Sequence, residues 1–159
     1  MDLLLIALVA LFLLNFLSYR MLNPIYAKSR QWDLNICCGK TEHGVINADI
    51  FQHQAIKGFV LLDDITDLPF ANKQMQRTLC AHTIEHIDDP VAFDQELRRV
   101  SDAVVYIVPP MWDLAAQLNF LEHKWIILSP RKVHTQLPRM VRNPLSLFYH
   151  RYFPQRIHA

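Results

Sequence analysis

Glycine is scarce, with three in 159 residues. Neither the G-x-G-x-x-G turn of dinucleotide-binding proteins nor the G-x-x-x-x-G-K-[ST] phosphate loop occurs, which argues against a nicotinamide enzyme or a nucleoside triphosphatase. Cysteine is equally sparse. Cys37, Cys38 and Cys80 form an odd set with two adjacent members and no C-x-x-C. That is a poor disulfide framework, and it fits thiols kept reduced in the cytosol. Acid is missing from the end of the chain. Residues 123–159 hold seven Lys/Arg and no Asp or Glu (+7), whereas residues 1–122 hold nine Lys/Arg and all 15 acids (−6), giving the net +1. A basic, aromatic tail suits an anionic lipid surface or a solvated extension. Internal repeats and low-complexity tracts are absent too, and no nucleic-acid partner is expected.

What is present begins with a long apolar run. Residues 3–19 include only Asn15 and Ser18 as clearly polar side chains. As a helix these residues reach about 25 Å, a little under a hydrocarbon core of about 30 Å, with Tyr19 and Arg20 available to the interface. A cleaved signal would carry a basic start and a small-residue cleavage site. The chain starts Met1-Asp2, and "SYRMLN" offers no A-x-A pattern. The run is therefore read as an uncleaved single-pass anchor over residues 1–20. Asp2 precedes it and Arg20, Lys28 and Arg30 follow, which places the rest of the chain in the cytoplasm. Residues 21–32, interrupted by Pro24, read as a linker.

From residue 33 onward, short apolar runs alternate with helical patterns. "LNICC", "VINA", "FVLL", "RTLCA" and "AVVYIV" are candidate strands. The first is expected to pass through a tight turn into a helix. "DDPVAFDQELRRV" is the best helix, with Asp89 as cap, Pro90 in the first position, and Phe93, Leu97 and Val100 on one face. "MWDLAAQLNFL" and "SPRKVHTQL" read as two more, the latter capped by Ser129 before Pro130. The pattern is α/β with a mostly parallel sheet covered on both faces. In such sheets ligands bind beyond the carboxyl ends of the strands. Gly39, Asp49, Asp64 and His82 fall there, after strands one to four. A glycine at Gly39 lets backbone N–H groups approach a ligand. A carboxylate at Asp49 can accept from ribose hydroxyls and one at Asp64 from an adenine amine, or Asp64 can cap its own turn. "HTIEH", residues 82–86, matches the His-x-x-Glu-His of inverted zinc peptidases, but its place between a strand and "DDP" leaves no room for the long helix that chemistry needs. No metal is expected. Trp112 and Trp125 are packing residues or the floor of an acceptor pocket.

The blocks "LNICCG", "INADI", "DDITDLPFANKQ", "CAHTIEHIDDPVAFDQELRRV" and "VVYIVPP", in this order over residues 34–129, resemble the class I S-adenosylmethionine-dependent methyltransferases, in particular small bacterial methyltransferase-domain proteins. The resemblance implies a three-layer Rossmann-like sandwich over residues 33–130, truncated at its last strands, then a basic extension over 131–159. It implies S-adenosylmethionine as cofactor. Cys37, Cys38 and Gly39 would lie on its methionine part, Asp49 with Ile50 on the ribose, Asp64 and Ile65 on the adenine, and His82 beside the methyl group. His82, Glu85 and His86 become the catalytic candidates. The acceptor would be a small or lipid-linked molecule, with the membrane as partner. Cys37 and Thr41 replace two family glycines, so the alternatives are an inactive binding module on the same fold and, more remotely, a zinc peptidase.

Overall fold

The computed structural model describes residues 3–28 and 31–153. Its first element is one helix running from Leu3 to Lys28, built from α1 (Leu3–Phe16), a π-helical turn (Leu17–Leu22) and α2 (Asn23–Lys28). Among the described residues it is the one helix long and apolar enough to cross a membrane, about 39 Å for 26 residues. Residues 21–28 are thus helix and not linker. Pro24 lacks an N–H and its ring crowds the carbonyl four residues back, but the wider π turn immediately before it loosens that carbonyl row, so the helix continues. The expected charges at Asp2 and Arg30 lie outside the described residues.

The central sheet has the order β3-β2-β1-β4-β5-β7. Its parallel part is β1 (Trp32–Ile36), β2 (Gly44–Asp49), β3 (Phe59–Leu61), β4 (Met75–Ala81) and β5 (Ser101–Ile107). All five expected strands form. Their buried runs, such as Leu34, Asn35 and Ile36 on β1 and Val104 to Ile107 on β5, are the continuous kind that a sheet covered on both faces requires. One face is covered by α3 (Pro90–Val100), which starts where expected. Asp89 accepts from the N–H groups of Val91 and Ala92, and Phe93, Leu97 and Val100 enter the main core with Leu34, Ile36, Val104 and Tyr106. The other face is covered by the foot of the N-terminal helix, where Ala27 packs with Trp32, Leu79, Val105 and Ile107. This gives three layers, with the membrane-type helix supplying part of one.

Three expected helices differ. No helix follows β1, because residues 37–43 must return the chain to the start of a parallel neighbour and are too few to hold a helical crossover. Polar side chains and glycines take over its role. Asn35 Nδ2 donates to Thr41 Oγ1 (3.0 Å) and Asn47 Oδ1 (3.1 Å), and Asn47 Nδ2 donates to the carbonyls of Gly44 and Lys57. At Gly58, φ is +65° and a Cβ would sit 2.2 Å from the Val45 carbonyl oxygen. "MWDLAAQLNFL" yields a single turn, α4 (Leu114–Gln117). "SPRKVHTQL" forms no helix. Ser129 Oγ does accept from Arg131 N, but the chain then enters β7 (Val133–His134), which pairs antiparallel with β5. β7 is two residues long. β6 (Trp125–Ile127) and β8 (Met140–Arg142) form a separate two-stranded sheet, and α5 (Pro144–His150) follows. Residues 131–153, read as an extension, are therefore folded in large part.

Candidate functional site

The carboxyl ends of β1, β2 and β4 bring together most of the residues singled out from sequence. Cys37 (φ +49°), Gly39 (φ +55°) and His82 (φ +52°) all adopt left-handed backbone there. For glycine this is free; for Cys37 it costs about 1–2 kcal/mol. The turn is fastened to both neighbours. Cys38 N donates to the Ala48 carbonyl (3.1 Å), and Gly39 N donates to Asp49 Oδ2 (2.8 Å). Thr41 donates through N and Oγ1 to the Cys38 carbonyl (2.9 and 2.7 Å). Thr41, standing where the family has glycine, thus staples a turn that has no helix behind it.

Asp49 is 7% exposed and anchors this edge. Its second oxygen, Oδ1, accepts from Ile50 N (2.8 Å). Each oxygen carries one backbone N–H, and a carboxylate can accept about four hydrogen bonds, so ribose hydroxyls can still be received. The thiols around it stay protonated. Burial, then the Asp49 carboxylate, pushes Cys37 far above its ordinary range and Cys38 up to about 11. Cys80 is pushed up as well, by burial and then by Cys37. These are packing groups, not nucleophiles.

Asp64 sits elsewhere in character. It is exposed, and its Oδ1 accepts from Thr66 N (2.7 Å) and Thr66 Oγ1 (2.8 Å), bonds that hold its carboxyl below the ordinary value. This is the self-capped turn, the second of the two sequence readings. Ile65 packs on the main core and Ile50 is exposed. The neighbouring "DLPF" block has a structural cause. Buried Glu96 accepts from Leu68 N (2.7 Å), and Arg99, paired with Glu96 at 2.6 Å, donates to the Leu68 and Phe70 carbonyls. The block is pinned to α3.

"HTIEH" is a turn and not a helix, so His82 and His86 do not share a helical face and the zinc-peptidase arrangement is absent. His82 Nε2 donates to Asn23 Oδ1 (3.0 Å), its ring lies 5.0 Å from that of Tyr19, and Nδ1 is 3.3 Å from Glu85 Oε1. Glu85 is completely buried. Burial alone would raise its carboxyl, but His82, backed by His86 and His123, outweighs it and holds the group at about 2. His86 Nδ1 donates to the Glu122 carbonyl (3.0 Å). The three catalytic candidates are therefore inward-facing.

No sequence pattern marks Tyr19, Asn23 or their neighbours as part of this edge. Asn15 Nδ2 donates to Asp113 Oδ1 (3.0 Å) and buried Lys132 Nζ donates to Ser18 Oγ (3.0 Å). Asp113 and Lys132 flank the end of β5, so the apolar helix leaves the domain from the strand ends that carry the candidate site. Trp112 and Trp125 donate to the Pro130 and Ile87 carbonyls, and Arg142 lies over the Trp125 ring at 4.9 Å.

Residues 35–106 match the family model described as "Methyltransferase domain". This segment is similar to that family. It contains the last two residues of β1, all of β2 to β4 and all of β5 but Ile107, and with them every cofactor and catalytic candidate named above. The mostly parallel Rossmann-like sheet agrees with the class I resemblance. Among solved structures, the crystal structure of the PH0226 protein from Pyrococcus horikoshii OT3 is similar at 16% identity and a TM-score of 0.45, covering 73% of this chain and 70% of that one. No curated protein matches the chain.

Proposed function

We propose that this methyltransferase domain uses S-adenosylmethionine to methylate an acceptor that reaches it from a membrane. The observation that carries the membrane part is the contact of Tyr19 and Asn23 with His82, which joins the foot of the apolar helix to the candidate site. A domain held in this way presents its strand ends to the bilayer. α5 and the residues after it support the same reading. Leu145, Leu147, Phe148, Tyr152 and Phe153 are exposed beside Arg142 and Arg151, a pattern that can enter an anionic interface. By the positive-inside rule, Arg20 and Lys28 favour the cytoplasmic side.

The residues present fit the cofactor. Asp49 would take the ribose hydroxyls, the 37–39 turn would face the methionine part, and Ile65 would pack on the adenine. The bound cofactor supplies a sulfonium whose methyl is displaced in line. The chain's contribution is position, since such transfer needs alignment first and a base only where the acceptor must lose a proton. His82, tied to Asn23 and turned toward Glu85, acts here as a positioning residue for the edge beside the methyl group.

The test uses the full chain in liposomes of bacterial-type anionic lipid, with cofactor carrying a labelled methyl group. Label appearing in the lipid-extractable fraction is the expected result. Label confined to water-soluble acceptors would contradict a membrane acceptor. Left-handed Cys37 and the missing helix favour a second reading, a binding module without transfer. It predicts cofactor binding with no label moved to any acceptor.

A further inference from the structure

Away from the cofactor turn, the segment 82–86 and the segment 120–124 close over a polar cluster inside the fold. Glu85 is 0% exposed and neither carboxylate oxygen has a hydrogen-bond partner. His123 is 8% exposed and its Nδ1 has none. One ligand atom from each of Glu85, His86 and His123 lies within 4.8 Å of the others. A buried carboxylate with no donor is a costly arrangement, and native folds rarely keep one without a proton donor or a cation against it.

His86 donates Nδ1–H to the Glu122 carbonyl at 3.0 Å. Metal-bound histidines are oriented by this kind of bond. His82 donates Nε2–H to Asn23 Oδ1 and brings its Nδ1 to 3.3 Å from Glu85 Oε1, at the edge of the cluster. The backbone clamps the two segments independently of any ion, through Lys124 N and Trp125 N on the Glu85 carbonyl (2.7 and 3.1 Å).

We propose that Glu85, His86 and His123 bind a divalent cation of the zinc class. Imidazole nitrogens with a single carboxylate select such an ion over magnesium or calcium, which prefer all-oxygen shells. Tetrahedral bonds of about 2.0–2.2 Å place ligand atoms roughly 3.4 Å apart. The apposed side chains need only contract by about an ångström to reach this. The ion joins the segment 82–86 to the segment 120–124. This differs from the zinc-peptidase reading, which needs a helical motif, and it does not depend on cofactor binding.

The test takes untagged full-length chain in detergent, stripped with a chelator and then titrated with Co2+ and with Zn2+. The expected result is one ion per chain, a visible cobalt absorption of the intense four-coordinate type, and a higher Tm with Zn2+. His123→Ala and Glu85→Gln should abolish stoichiometric uptake, whereas His134→Ala, at a half-buried site on β7 outside the cluster, should keep it. Should the two ligand variants fail to fold, the folded wild type decides alone. Substoichiometric uptake or a featureless cobalt spectrum overturns the proposal, as does full uptake by a folded Glu85→Gln.

Discussion

Replacing Cys37 separates two things that its side chain does. Its φ of +49° places a Cβ in the left-handed region, at a cost of about 1–2 kcal/mol. Its half-buried thiol packs on the main core beside Ile36 and Cys80, worth about 1 kcal/mol. Cys37→Ala removes the thiol and keeps the strain, so it should destabilise by about 1 kcal/mol. Cys37→Gly removes both and adds about 0.5–1 kcal/mol of unfolded-chain entropy, leaving it within about 1 kcal/mol of wild type. The glycine variant should therefore be the more stable of the two, by a few tenths to about 1 kcal/mol, or up to roughly 3 °C in Tm for a chain of this size. Parallel denaturant unfolding of the three proteins in one detergent measures this. If the alanine variant equals or exceeds the glycine variant, the turn is not strained at Cys37, and the account of why the family prefers glycine there fails. The same pair reports on the cofactor. If the Cβ crowds it, Cys37→Gly binds S-adenosylmethionine more tightly than wild type and Cys37→Ala does not.

Asp89→Ala removes the acceptor for the Val91 and Ala92 N–H groups and should cost about 1 kcal/mol, read by denaturant unfolding; no measurable loss would mean the cap contributes nothing. Glu96→Ala strands the Leu68 N–H and unpairs Arg99, an expected loss of about 3 kcal/mol together with faster proteolysis near Asp67–Phe70. An intact protease pattern would contradict the pinning of that block. Burial lowers the Lys132 ammonium to about 8 from its ordinary 10.5, although Asp113 and Glu85 pull the other way. Between those two values the unfolded chain binds more protons than the folded one, so this group's contribution makes stability rise as pH rises from 8 to 10.5, by up to about 3 kcal/mol. Unfolding free energies measured across that window should show the rise in wild type and lose it in Lys132→Met; parallel curves would refute the burial argument.

The strands and α3 were legible because burial on two faces leaves unbroken apolar runs and because Asp89-Pro90 is a strong helix start. The missing helix after β1 was legible too, had its length been weighed: residues 37–43 cannot both wind a helix and return to the head of β2. The helix expected after Ser129 failed for another reason. Its local signal was obeyed for one bond, Arg131 N to Ser129 Oγ, and then the open edge of β5 captured Val133 and His134. Pro24 misled in the opposite direction, because a π turn can absorb a proline that an ordinary helix cannot. The foot of the helix was beyond reach. Its contacts join Asn15 to Asp113, Ser18 to Lys132 and Asn23 to His82 across 98, 114 and 59 residues, and no local pattern encodes such distances. The inward polar cluster was half legible: "HTIEH" drew attention to metal chemistry, but His123, which makes it a cluster, lies on a different segment.

The central claim is that the strand ends at Cys37–Gly39 and Asp49 hold S-adenosylmethionine, and titration calorimetry of the full chain with the cofactor tests it most directly. The account predicts saturable binding with one cofactor per chain, and a loss on Asp49→Ala of about 10- to 100-fold, as expected when hydrogen bonds to a charged acceptor are removed. No heat of binding at millimolar cofactor, or binding that Asp49→Ala leaves intact, would contradict it.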